Sequence, residues 1–115
     1  MKPTVQLRLR VYRDDVIAIG PGKVALLEAI SQAGSISAAA RSLGMSYRRA
    51  WLLVDEMNQA LRSPVVSTAT GGTRGGGANL TAAGEALVRH YRGIENRLQA
   101  AAADDIAALT GLIAR

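Results

Sequence analysis

A mainly α-helical domain carrying small β-hairpins is the fold class that this 115-residue sequence predicts. Three observations predict it. Apolar residues recur at spacings of three and four over several stretches, Ser, Thr, Gly or Pro bounds each stretch, and short apolar runs before residue 20 and on either side of residue 73 read as strands. At 12.0 kDa the chain is large enough for one core and too small for two, so a single domain over residues 1–115 is expected.

The elements follow in order. Val5, Leu7, Leu9 and Val11 alternate with Gln6, Arg8, Arg10 and Tyr12, which predicts a half-buried strand with a basic outer face. Val16 to Ile19, beyond Asp14 and Asp15, is its expected partner in an N-terminal β-hairpin. Gly20-Pro21-Gly22 breaks the sheet and opens a helix, because a proline at a helix start lacks only an N–H that had no intrahelical acceptor. On that helix Leu26, Leu27, Ile30 and Ala33 share one stripe, and Gly34 can adopt the left-handed backbone that ends it. Ser35 or Ser37 caps a short second helix with Ala39, Ala40 and Leu43 inward, and Gly44 closes it. Two residues on, Ser46 caps a third helix with Ala50, Val54, Met57 and Leu61 toward the core and Arg48, Arg49, Asp55, Glu56 and Gln59 outside it. Two helices joined by one Gly-containing turn match a helix-turn-helix.

After Pro64, Val65 and Val66 start a strand that runs into GGTRGGG, residues 71–77, and Ala78 to Leu80 return antiparallel to it. Thr81 caps a long helix on which Leu87, Tyr91, Ile94 and Leu98 form a seam suited to packing on another helix. Ala100 to Ala103 and Asp104-Asp105 interrupt it before a last apolar turn or two with Ile106, Leu109 and Leu112.

Composition removes most chemistries. The chain has no cysteine and one histidine, His90, so thiol nucleophiles, thiolate metal sites and His-rich metal sites are out, and no metal or other cofactor is expected. Asp104 and Asp105 are adjacent, so on a helix they point apart and make a poor acid–base pair; no catalytic residue is assigned. The glycine loop is not a phosphate-binding P-loop, which needs a Gly-Lys-Ser/Thr ending that leads directly into a helix. No apolar run approaches the roughly 20 residues that span a bilayer, and residues 1–15 lack a signal peptide's apolar core, so a cytoplasmic protein without a membrane partner is expected.

Charge indicates the partner. The net charge is +5, and the basic excess lies in residues 1–74, since residues 75–115 carry four basic and four acidic side chains. Such a chain suits a polyanion. The opening turn of the third helix, Ser46-Tyr47-Arg48-Arg49, is where a DNA reader places its contacts; arginine pairs bidentately with guanine, and the capping serine with the helix amides can hold a phosphate. The plainer reading of Arg48 and Arg49 is a solvated face. Ser35 and Ser37 are helix caps, phosphate contacts or both. Tyr47 and Trp51, four residues apart, can lie against sugar-phosphate or pack inward, and Trp51 is expected in the core. At the hairpin tip, glycine permits close backbone approach and Arg74 suits the negative potential of a minor groove; otherwise the tip is a plain turn.

The stretches GSISAAARSLGMSYRRAWLLVDEMNQ and ATGGTRGGGANLTAAGEALVRHY, within about Leu7 to Tyr91, resemble the N-terminal DNA-binding domain of molybdate-responsive ModE-type transcription regulators, which is similar to the LysR-type winged helix-turn-helix. The resemblance implies a recognition helix opened by Ser46 to Trp51, a wing over about residues 65–80 with Thr73 and Arg74 at its tip, and a helix over about 81–103 that helps form a homodimer on an inverted-repeat operator. Regulated genes would be those of molybdate transport or molybdoenzymes. Full-length members continue into C-terminal domains that bind molybdate or tungstate; after Ala103 this chain has room only for a short helix, so molybdate binding by it is not expected. A winged-helix module for protein interaction or assembly, without operator recognition, is the alternative.

Overall fold

The computed structural model describes residues 3–69 and 77–114. It has five helices and two separate two-stranded antiparallel sheets among those residues. β1 (Val11–Arg13) and β2 (Val16–Ile19) form the first hairpin, turned at Asp14, whose φ of 55° aspartate tolerates better than most side chains. The expected strand from Val5 is shorter than its alternation suggested. Residues 3–10 have no regular structure, although Leu7 and Leu9 are half-buried and their neighbours exposed. The alternation marks which side chains face inward, but these residues lack a strand partner to complete a ladder.

α1 (Pro21–Ala33) starts on Pro21 and ends at Gly34, whose φ of 77° is left-handed and whose N–H bonds the Ile30 carbonyl. α2 (Ile36–Ser42) is capped by Ser35, which accepts from the Ala38 N–H at 3.1 Å. Gly44, with φ of 69°, makes the turn into α3 (Tyr47–Ala60), and Ser46 caps that helix by accepting from the Arg49 N–H at 3.1 Å. The core lies among these three helices. Leu26, Leu27 and Ile30 from α1, Ile36, Ala39 and Ala40 from α2, and Ala50, Val54 and Met57 from α3 are buried together. Leu43, expected inward, is exposed, because α2 ends before it and the chain turns outward there.

β3 (Val66–Ala69) and β4 (Gly77–Leu80) pair Val66 with Leu80 and Ala69 with Gly77. Two tethers fix the base of this hairpin. The Asn58 side-chain oxygen accepts from the Val65 N–H at 2.9 Å, and the Ala78 N–H bonds the Gly34 carbonyl at 2.9 Å. Thr81 then caps α4 (Ala82–Ala101) through the Gly84 N–H and donates its own hydroxyl to the Pro64 carbonyl at 2.6 Å. Gly84 is required by close approach: a Cβ on it would lie 2.2 Å from the Val65 carbonyl oxygen. α4 breaks at Ala102 and α5 (Ala103–Thr110) follows with no buried residue.

Candidate nucleic-acid interface

α3 has a buried stripe at Ala50, Val54 and Met57, so its other residues distribute by the roughly 100° per residue of an α-helix. Arg48, Leu52 and Gln59 lie opposite the stripe and are exposed. Arg49 is turned about 100° from Arg48 and lines a cleft with Met45, Leu53 and Glu56. Tyr47 and Trp51 occupy the other flank. Trp51 is not in the core: it is 38% exposed, its ring meets Tyr47 edge-on with centroids 6.5 Å apart, and its indole N–H donates to the Tyr47 hydroxyl. The reason is angular, since a residue one position after buried Ala50 is carried off the stripe. The outer surface of α3 thus combines a guanidinium with an aromatic pair.

Of the other expected contacts, Ser35 is half-buried and spent partly as a cap, Ser37 is exposed on the first turn of α2, and Ser46 is exposed at the amino end of α3. A hydroxyl that accepts one amide N–H keeps its own O–H to donate, so the capping role leaves a phosphate contact open. Thr73 and Arg74 lie outside the described residues.

The seam of α4 divides. Leu87 packs against the core, and Tyr91 is 3% exposed with its hydroxyl donating to the Leu9 carbonyl at 2.8 Å. Tyr91 is therefore corrected from a residue facing another helix to one that holds the N-terminal segment on α4. Burial raises its phenol pKa, and Glu95 adds to the rise. Ile94 and Leu98 remain exposed, as do Leu109, Leu112 and Ile113 beyond the break. Arg92 ties α4 to α1: its Nη2 and Nε donate to the two Glu28 carboxylate oxygens at 2.6 and 3.0 Å, and its Nη1 reaches Glu95 at 2.6 Å. Hydrogen bonding to Arg92 holds the Glu28 carboxyl below the usual carboxylate range, against a smaller opposing effect of burial.

Gly84 and Asn58 position this surface and were not singled out as functional in the sequence, and Tyr91, expected on the seam, holds the N-terminal segment instead. A glycine on a predicted helix is the one signal available for the first; Asn58 and Tyr91 act on backbone groups that no local pattern identifies. Among the described residues no helix is long and apolar enough to cross a membrane, and no cluster of three or more His, Cys, Asp or Glu could hold a metal.

Residues 22–85 match the bacterial regulatory helix-turn-helix proteins of the lysR family. The chain is 56% identical over 77 residues to the molybdenum-pterin-binding protein MopB of Rhodobacter capsulatus, covering 67% of this chain and 28% of that protein. It is 40% identical over 88 residues to the DNA-binding transcriptional dual regulator ModE of Escherichia coli K12, covering 76% of this chain and 31% of ModE. The chain thus spans about 30% of the length of these relatives. Among solved structures, the CbnR DNA-binding domain, crystallised in complex with DNA, has a similar fold, with a TM-score of 0.58, 24% identity, and coverage of 76% of this chain and 95% of that one.

Proposed function

The chain belongs to the bacterial regulatory helix-turn-helix proteins of the lysR family, and from that premise we propose that it is a sequence-specific, double-stranded-DNA-binding transcription regulator of ModE type. It acts as a homodimer in the cytoplasm, at an inverted-repeat operator of molybdate-transport or molybdoenzyme genes. The observation that carries the reading is the placement of Arg48, exposed in the first turn of a serine-capped helix and opposite its buried stripe.

With α3 in a major groove, Arg48 donates two N–H bonds to the O6 and N7 of a guanine, and Tyr47 rests against sugar-phosphate. Ser46, together with Ser35 and Ser37 at the start of α2, donates to backbone phosphates and fixes the register. Thr73 and Arg74, assigned from sequence alone, add DNA contacts. Ile94 and Leu98, exposed on α4, supply the dimer contact.

The test is Arg48→Ala. Loss of a bidentate base contact, worth about 1–3 kcal/mol, lowers the ratio of operator to random-duplex affinity by roughly 5- to 150-fold. An unchanged ratio contradicts the assignment of the reading helix. The assembly-module alternative predicts duplex binding that is absent or insensitive to salt, whereas phosphate contacts make it fall steeply.

A further inference from the structure

The basic face of the chain is not confined to the helix-turn-helix. A cleft of about 540 Å³ runs between the N-terminal segment, the start of α1 and one flank of α3, and it brings Arg8, Arg10 and Arg49 to a common opening. Arg8 and Arg10 lie outside residues 22–85, the stretch that matches the helix-turn-helix family. All three arginines are exposed, and among the described residues none is ion-paired with a carboxylate. Two acids share the cleft, Asp15 and Glu56. Glu56 faces the buried Lys23 amine at 3.5 Å, and that amine also donates to the Ile17 carbonyl. Lys23 and Glu56 therefore offset one another, leaving three guanidiniums against the single carboxylate of Asp15.

Position gives this charge its use. A helix is roughly 10–12 Å across with its side chains and a major groove about 12 Å wide, so a helix seated there has a phosphate backbone along each flank. Arg49 stands on the flank of α3, about 100° from the outward Arg48, on the side of the N-terminal segment. We propose that Arg8, Arg10 and Arg49 form a second DNA contact, a phosphate cleft that grips the sugar-phosphate backbone beside the reading helix. The proposal rests on the DNA-binding function above and divides labour within it: Arg48 reads bases, and Arg49 joins the N-terminal arginines in holding phosphate.

The test compares the intact chain with an Arg8→Gln/Arg10→Gln double variant on operator and random duplexes across a salt series, by fluorescence anisotropy. Each lost phosphate contact removes about 0.9 from the slope of log affinity against log salt, so the slope falls by about 2 while the operator-to-random ratio stays constant. Arg10→Lys, which keeps the charge, retains the wild-type slope, and equal thermal midpoints show that the variants fold. A double variant with the wild-type slope, while Arg48→Ala still lowers discrimination, overturns the cleft and leaves the regulator intact. Loss of discrimination at constant slope also overturns it, because the arginines would then read bases. Failure of the unmutated chain to bind any duplex removes both readings.

Discussion

Substituting Gly84 by alanine should destabilise the domain, although the same change elsewhere on α4 should stabilise it. The added Cβ would sit 2.2 Å from the Val65 carbonyl oxygen, 3.1 Å from the carbonyl carbon and 3.3 Å from the Leu80 Cβ. Contacts below 3.0 Å are not tolerated, so the first turn of α4 must retreat by at least the 0.8 Å by which 2.2 Å falls short. The obstacle is backbone, and it is tethered: the Val65 oxygen accepts from the Thr81 N–H at 3.0 Å, and the Thr81 hydroxyl bonds the Pro64 carbonyl at 2.6 Å. Overpacking of this kind costs about 1–3 kcal/mol, and the intrinsic helix preference for alanine returns at most about 1 kcal/mol. A clash with tethered backbone puts the cost in the upper part of that range, about 2–3 kcal/mol, so the net loss is about 1–2 kcal/mol, or a Tm lower by roughly 5–12 °C for a domain of this size. Gly93 provides the control, since a Cβ there meets nothing within 4 Å and Gly93→Ala should raise Tm by a few degrees. Thermal unfolding followed by circular dichroism, at one protein concentration, reads both. A Gly84→Ala protein as stable as wild type would refute the claim that α4 is held against the hairpin base by this contact.

Two further predictions concern α4. The Glu28 carboxyl is held below its ordinary pKa by Arg92, so its contribution to stability is present above that ordinary value and is lost as pH falls through the lower, folded-state value. In acid titrations of Tm, Glu28→Gln should flatten the decline in this range, and a profile parallel to wild type would contradict the assignment. Leu98→Glu places a charge on an exposed side chain of the proposed dimer seam, so the variant should keep the helical spectrum and elute as a monomer in size-exclusion chromatography; an unchanged dimer would put the seam elsewhere.

The helix-turn-helix was legible because its determinants are local. Capping serines at 35 and 46, left-handed glycines at 34 and 44, and the Ala50, Val54 and Met57 stripe are each fixed by neighbours within a turn. What was not legible depends on distant partners. Alternation at Val5 to Val11 identified which side chains face inward, but the segment lies along α4, where the Tyr91 hydroxyl meets the Leu9 carbonyl across 82 positions. The same contact withdraws Tyr91 from the seam that its spacing suggested. Trp51 was misplaced for another reason: its size argues for burial, whereas its angle on α3 and its bond to Tyr47 put it at the surface. Arg48 and Arg49 are adjacent in sequence, and only the location of the N-terminal segment separates their surroundings.

If α3 reads DNA with its outer face, as one half of a symmetric pair, the bound sequences must carry the mark of both. Selection of bound sequences from a random duplex library, with the purified chain and its Arg48→Ala variant in parallel, tests it most directly. The unmutated chain should enrich an inverted repeat with half-sites about 34–36 Å apart, and the variant should lose its preference at a guanine in each half-site. A folded, unmutated chain that enriches no sequence would contradict it.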